Sequence, residues 1–285
     1  MTRILSWNIQ SGKGADGVIS LGRIASVIRA MGEPDVICLQ EVSRHLALWP
    51  GGEAPDQSAL LLQLFPGYEI HFGTAIEINN GEERLCQFGN AILTRLTVLS
   101  VFRHVLPQPA VSGIRHMPRQ AIEVTVAAAQ GSLRVVNTHL EYHSRQQRLA
   151  QIGRLRGLHH EIVLNVMNPP LSDTSGAYQR YDRPSEAIIC GDFNMETDSE
   201  EYGAMLSPLP DMAIPFHDAW MVAHSAGDRL PTCGIHDQEQ WPQGPHARDY
   251  FFVTDQIAAR IEDVIVDTIT NASDHQPIQL QLSGG

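Results

Sequence analysis

Lysine is nearly missing from this chain. Of 20 basic residues in 285, Lys13 is the only lysine and the rest are arginines. Biased genome composition is enough to explain the scarcity. Its chemical consequence is that any phosphate grip falls mainly to arginine, whose fork makes the bidentate contacts lysine does not. Cysteine is scarce as well. Cys38, Cys86, Cys190 and Cys233 form no CxxC pair and no zinc-type spacing, which argues against a disulfide framework or a cysteine-bound zinc. Cys38 and Cys190 lie inside apolar runs and read as small buried hydrophobes. No apolar run approaches the ~20 residues of a transmembrane segment. The opening "MTRILSWNIQ" lacks the long apolar core of a signal peptide. A soluble, cytoplasmic protein is expected. Net positive charge is lacking too: the formal charge of -12 weighs against tight non-specific binding to a nucleic-acid duplex. A local arginine patch could still hold a phosphate.

What is present suits a packed core. Hydrophobic residues make up 43% of the chain, and a single domain over 1–285 is expected. Strands are expected at 3–9, 34–42, twice within 88–105, and at 119–128 and 132–140. Further strands are expected at "AIIC" (187–190), 248–254, 261–269 and 276–282. Helical spacing marks 17–32, through Ile24, Val27, Ile28 and Met31, and also 57–65 and 144–163. Residues 165–185 read as a long loop, and no repeat or linker interrupts the chain. Strands outnumber helices. The expected fold class is α/β, with two sheets packed face to face and helices outside.

Several of these strands end in polar residues that suit a metal or phosphate. Asn8 follows "RILSW", Glu41 follows "VICLQ", and Asn137 and His139 follow "LRVV". Asp192 and Asn194 follow "AIICG", Asp249 opens "DYFFV", and Asp274 and His275 precede "QPIQL". Asn, Glu and Asp are oxygen ligands of the kind that hold magnesium or manganese. Glu41 is the best single candidate ligand, with Asn8 and Asp274 beside it. Asp249 is free to orient the imidazole of His275, in the manner of a carboxylate–histidine relay. Asp192 and Asn194 are two apart, so on an extended chain both point the same way. One could then hold a water while the other donates to a phosphoryl oxygen.

Seven stretches, in order, carry a resemblance: "SWNIQ" (6–10), "LQEV" (39–42), "GNAILTR" (89–95), "NTHL" (137–140), "GDFN" (191–194), "RDYFF" (248–252) and "SDH" (273–275). The sequence resembles the endonuclease/exonuclease/phosphatase superfamily of metal-dependent phosphoesterases, which is DNase I-like. The resemblance implies a four-layer α/β sandwich of two mainly antiparallel sheets, with the site at one end of both. It implies a Mg2+ cofactor, with Mn2+ able to substitute. Carried over, Glu41 is the principal metal ligand, Asn8 its neighbour and Asp274 a metal-side carboxylate. Asp192 activates or orients water, and Asn194 is a transition-state and metal-site hydrogen bonder. His275 is the catalytic histidine and Asp249 its orienting carboxylate. His139 binds phosphate, Arg119 is a looser match to a phosphate contact, and Asn90 is either structural or touches substrate. The family commonly places an apolar residue where this chain has Arg248, which is therefore either a surface arginine or a substrate contact.

Substrate is less specified. A magnesium-dependent phosphodiester hydrolase, with nuclease as one form and nucleic acid as one substrate, is the leading expectation. A lipid-head-group or small-molecule phosphoesterase is the alternative, and a catalytically inactive binding module is the third. The cysteine-bearing motif of the inositol phosphatases is not matched by "HARDYFF". Tyr178, Arg180, Tyr181 and Arg183 in the 165–185 loop could stack a base and hold phosphates. A second candidate wall is 234–246, with Trp241 as a platform.

Overall fold

The computed structural model describes residues 1–48, 54–81, 85–210, 214–224 and 229–284. The chain begins in one sheet with β1 (Thr2–Asn8), α1 (Leu21–Ala30), β2 (Val36–Arg44), α2 (Gln57–Leu64), β3 (Glu69–Asn79) and β4 (Leu85–Thr94). It then builds a second sheet from β5 (Val98–Val105), β6 (Gln120–Ala128), β7 (Gly131–His139), α3 (Arg145–Met167) and β8 (Ala187–Asp192). To this sheet it adds α4 (Glu200–Leu206), β9 (His217–Asp218), α5 (Ala219–His224) and β10 (Asp249–Val253). Finally α6 (Asp255–Ala258), β11 (Ile261–Val266) and β12 (Ile278–Leu282) return to the first sheet. The orders are β11-β12-β1-β2-β4-β3 and β5-β6-β7-β8-β10-β9. Each sheet is antiparallel except for one pair, β1–β2 in the first and β7–β8 in the second. Those pairs need crossovers, which α1 and α3 supply.

Alternation along the strands produces four layers. Ile4, Cys38 and Ile92 of the first sheet meet Ile122, Val135, Ile188 and Phe251 of the second in the central core. Their neighbours Leu5, Trp7, Ile37 and Leu39 point the other way, onto Ile24, Ile28 and Leu61 of α1 and α2. On the far side Val136, Ile189 and Phe252 pack against Ile152 and Leu155 of α3 and Met205 of α4. Side-chain caps start the main helices: Ser20 accepts from Arg23 N, Asp56 from Ala59 N and Ser144 from Gln147 N. Among the described residues no helix is long and apolar enough to cross a membrane.

The central core is apolar except near one end. There Gln40 Nε2 donates to Asn137 Oδ1 at 2.7 Å, and Asn137 Nδ2 donates to Leu39 O and Ala91 O. Asn137 thus spends its side chain tying one sheet to the other, where the sequence suggested a ligand-bearing strand end. The strand β3 was not expected from sequence. It is an edge strand with a bulge and mostly half-buried side chains, so neither face carries a clean apolar pattern.

The 165–185 segment is also different from the expectation. Its first residues belong to α3, which runs on to Met167. The remainder leads into the Ala187 end of β8, away from Asp192 at the other end. Arg183 donates to Glu123 at 2.6 Å and lies 4.2 Å from the Phe102 ring centroid. Arg134 and His104 also face Glu123, at 3.5 and 3.3 Å. Burial resists ionisation of Glu123, but these partners outweigh it and hold the carboxyl at about 2. Its contribution to stability is complete above the ordinary glutamate range and is lost as pH falls through about 2. Glu123→Gln is therefore expected to lower the unfolding free energy by about 3 kcal/mol at pH 7. The gap from the parent should close as denaturation is repeated toward pH 2. A pH-independent gap would contradict this account.

Candidate active site

The site is built where the carboxyl ends of both parallel pairs meet. A bulge between Leu39 and Val42 disrupts β2 at Glu41, whose φ is +58°. That left-handed turn re-aims the carboxylate off the strand axis. Gln10, Ser11 and Gly12, just past β1, are left-handed as well. Ser11 Oγ donates to Glu41 O at 2.7 Å and Gln57 Nε2 donates to Ser11 O at 2.7 Å, so the strained backbone is braced from behind. Near the tip of β8, Gly191 has φ +140°, and a Cβ there would sit 1.8 Å from Thr138 O. No other residue fits between β7 and β8 at this point.

Six titratable side chains converge there. Asp249, across from Asp192 in the β8–β10 ladder, accepts from His275 Nδ1 at 2.8 Å and from Thr232 Oγ1 at 2.6 Å. The other ring nitrogen of His275 lies 3.5 Å from Asp192 Oδ2, and His139 Nε2 lies 3.4 Å from the same oxygen. Asn8 Nδ2 bridges Asp192 Oδ2 at 3.0 Å and Glu41 Oε1 at 3.2 Å. Trp7 Nε1 fixes the backbone of His275 through its carbonyl.

Their proton affinities diverge. Burial disfavours the charged form of His275, but Asp249, Asp192 and Asp274 outweigh it and hold the imidazole well above its ordinary value. Burial likewise opposes ionisation of Asp192, yet His275, Asn8 and the Asn194 N–H keep it below the usual range. Asp249 is pushed up to about 6, chiefly by burial. His139 falls to about 3 through burial and the nearby Arg119. A neutral His139 agrees with its contacts: Asn194 Nδ2 donates to its Nε2 at 3.1 Å, which places the ring proton on Nδ1.

The residues fit a hard divalent cation. Glu41 and Asp274 are oxygen donors lining a cavity of about 750 Å³. Withdrawal from solvent, reinforced by the Asp274 carboxylate, pushes Glu41 up to about 7. Burial raises Asp274 too. Carboxylates that resist ionising beside each other are the ones a cation stabilises. A second grouping, Asp192, Asp249 and His275, places ligand atoms within 4.8 Å. Its imidazole is hydrogen-bonded to Asp249 and turns its other nitrogen to Asp192 at 3.5 Å.

Not every expected role matches this geometry. Asn8 here presents its amide nitrogen to Glu41 and Asp192, while its oxygen accepts from Gln10 N. Asn194 lies past the end of β8 with φ +50°, so the extended-chain argument fails for it. Both its amide hydrogens are spent, on Leu140 O and His139, and its buried oxygen is unpartnered. It holds His139 and has no donor left for a phosphoryl oxygen. Asn90 is buried under Gln120 O and does not line the cavity. Arg119 does line it, paired with Glu141 at 3.3 Å. The 165–185 segment lines none of it, whereas Asp237, Glu239, Gln240 and Trp241 do. Trp241 is buried with its ring 5.7 Å from His275, edge to face, so it packs the imidazole and offers no open platform. Arg248 lies over Trp241 at 4.9 Å and donates to His246, behind the cavity wall. Sequence reasoning missed Thr232, Glu141 and the arm between β5 and β6, whose Arg115 and His116 overhang the cavity. Glu141 left one trace: it stands two residues after His139.

The model of the Endonuclease/Exonuclease/phosphatase family matches residues 5–275. Comparison with curated proteins returns no match. Among solved structures the chain is similar to an endonuclease/exonuclease/phosphatase from Beutenbergia cavernae, at 23% identity and TM-score 0.66, over 98% of this chain and 70% of that one. It is similar to the human nocturnin catalytic domain with bound sulfate, at 20% identity and TM-score 0.61, over 99% and 94%. It is also similar to NExo, a 3′ phosphatase from Neisseria bound to a product DNA hairpin, at 18% identity and TM-score 0.61, over 99% and 100%. These likenesses show the fold, a DNase I-like four-layer sandwich.

If Glu41 and Asp274 hold a cation, magnesium or manganese at a hundredfold excess over its Kd should add about 3 kcal/mol of stability. Thermal unfolding with and without the metal measures this. Glu41→Gln should lose the increment. An equal response in that variant would contradict the placement.

Proposed function

This chain belongs to the endonuclease/exonuclease/phosphatase family, and we propose on that footing that it hydrolyses a phosphodiester with magnesium, manganese being able to substitute. Nuclease action is the leading form. The observation that carries the reading is the Asp249–His275–Asp192 chain, which sets one imidazole between two buried carboxylates at the cavity wall. Retention of Glu41, Asp192, Asn194, Asp249, Asp274 and His275 together weighs against an inactive binding module.

Glu41 and Asp274 would hold the cation, which when bound neutralises charge on the phosphoryl and leaving oxygens. Asp192, kept ionised, orients the attacking water and accepts its proton. The buried carboxylates around it favour the protonated form of His275, so in this reading Asp192 takes the role of base and His275 that of acid. Its N–H faces developing negative charge and can supply a proton to the departing oxygen. Asp249, gripped by Thr232, holds the ring in register. His139, whose Nδ1 lies 4.0 Å from Glu41 Oε1, and Arg119 line the same cavity and are available to the phosphate.

The test compares a chromogenic phosphodiester with a phosphomonoester, in magnesium and in manganese. Asp192→Ala and His275→Ala should each lower turnover of the diester by ~100-fold or more. Near-parental rates in either variant would remove that residue from the chemistry. Preference for the monoester would move the reading to a phosphatase.

A further inference from the structure

Glu141 has no role in the chemistry just described, yet it is buried on the cavity wall and fully engaged. Its carboxylate accepts from Arg119 Nε at 3.3 Å, from Met117 N at 3.3 Å and from His143 N at 2.9 Å. Its own N–H donates to Gln151 Oε1 at 2.9 Å. Gln151 and Gln147 of α3 in turn donate to Pro107 O and Pro109 O, at the root of the arm between β5 and β6. One carboxylate therefore joins two segments: 117–119, where the arm enters β6, and the turn after β7.

The pairing with Arg119 is one-sided. Only Nε is bonded to the protein, and the terminal amino groups make no hydrogen bond among the described residues. A guanidinium anchored at Nε keeps its fork for a planar pair of acceptors, such as two phosphoryl oxygens. The segments that Glu141 ties down bring Arg115, His116 and His143 to the cavity beside Arg119. Asp237 and Glu239 line it as well, from the 234–246 segment. The cavity is thus lined by a basic set anchored on one carboxylate and by an acidic pair from another segment.

We propose that Glu141 is the positioning residue of the substrate grip: it holds Arg119 by Nε with its fork toward the cavity and seats the arm bearing Arg115 and His116. This rests on the phosphoesterase reading above. The ligand it serves is a phosphate group, recognised through Arg119.

The probe is inorganic phosphate, titrated calorimetrically into the full chain with magnesium present. Glu141→Ala is expected to weaken phosphate about tenfold, the scale of one charge-assisted contact. Glu141→Gln, which keeps an acceptor oxygen but not the charge, should fall between it and the parent. Magnesium-induced thermal stabilisation should persist in both, which a collapsed site would not allow. Combined with Arg119→Ala, Glu141→Ala should weaken binding little beyond Arg119→Ala alone, because the two act as a unit. Parental phosphate affinity in Glu141→Gln, or full additivity with Arg119→Ala, would overturn the proposal. If Glu141→Ala fails to fold, Glu141→Gln alone decides it. Absence of phosphate binding by the parent would overturn both readings at once, whereas parental binding with an unmoved Glu141 variant overturns this one alone.

Discussion

Everything at the site depends on keeping Asp192 and Asp249 buried within a few ångströms of one imidazole, with Asp274 buried next to it in the chain. Carboxylates out of water repel one another and resist ionising. His275 answers two of them directly, through one nitrogen each. Asn8 answers a third pairing by placing one amide nitrogen between Asp192 and Glu41. The excess negative charge that remains, on Glu41 and Asp274, is the physical reason a divalent cation belongs there.

Such an arrangement survives only on a stiff frame. Asn8 and Glu41 come from one sheet, and His139, Asp192 and Asp249 from the other, so any slip between the sheets would pull the cluster apart. The Gln40–Asn137 bond and the two carbonyls Asn137 also engages lock the sheets together one layer below the site. Left-handed backbone at Gln10, Ser11, Glu41 and Asn194 lies beside this lock. Strain of that kind persists where the surroundings over-determine the conformation.

Much of this was legible in the sequence. Apolar runs such as "RILSWN" read as buried strands, the period of two in "RQAIEVTVAA" assigns its faces, and the polar residues at the strand ends named the cluster almost completely. Direction was harder to read. Whether Asn8 or Asn194 presents oxygen or nitrogen depends on neighbours such as Gln10 N and Leu140 O that are close only after folding. The bulge at Glu41 leaves no pattern, because its left-handed turn is imposed by Ser11 and Gln57 from other elements. Long-range pairs were not readable at all. Arg183 looked like a ligand-binding side chain and instead answers Glu123, 60 residues away. Glu141 carried no reading from the sequence, yet it joins the end of the arm to the turn after β7.

The central claim is that Glu41 and Asp274 form the metal site while Asp192, His275 and Asp249 form a separate proton-bearing relay. Anomalous diffraction from crystals grown with manganese tests it most directly. The account predicts a peak between the Glu41 and Asp274 carboxylates, with His275 still bonded to Asp249. A peak enclosed by Asp192, Asp249 and His275, with that bond broken, would contradict it.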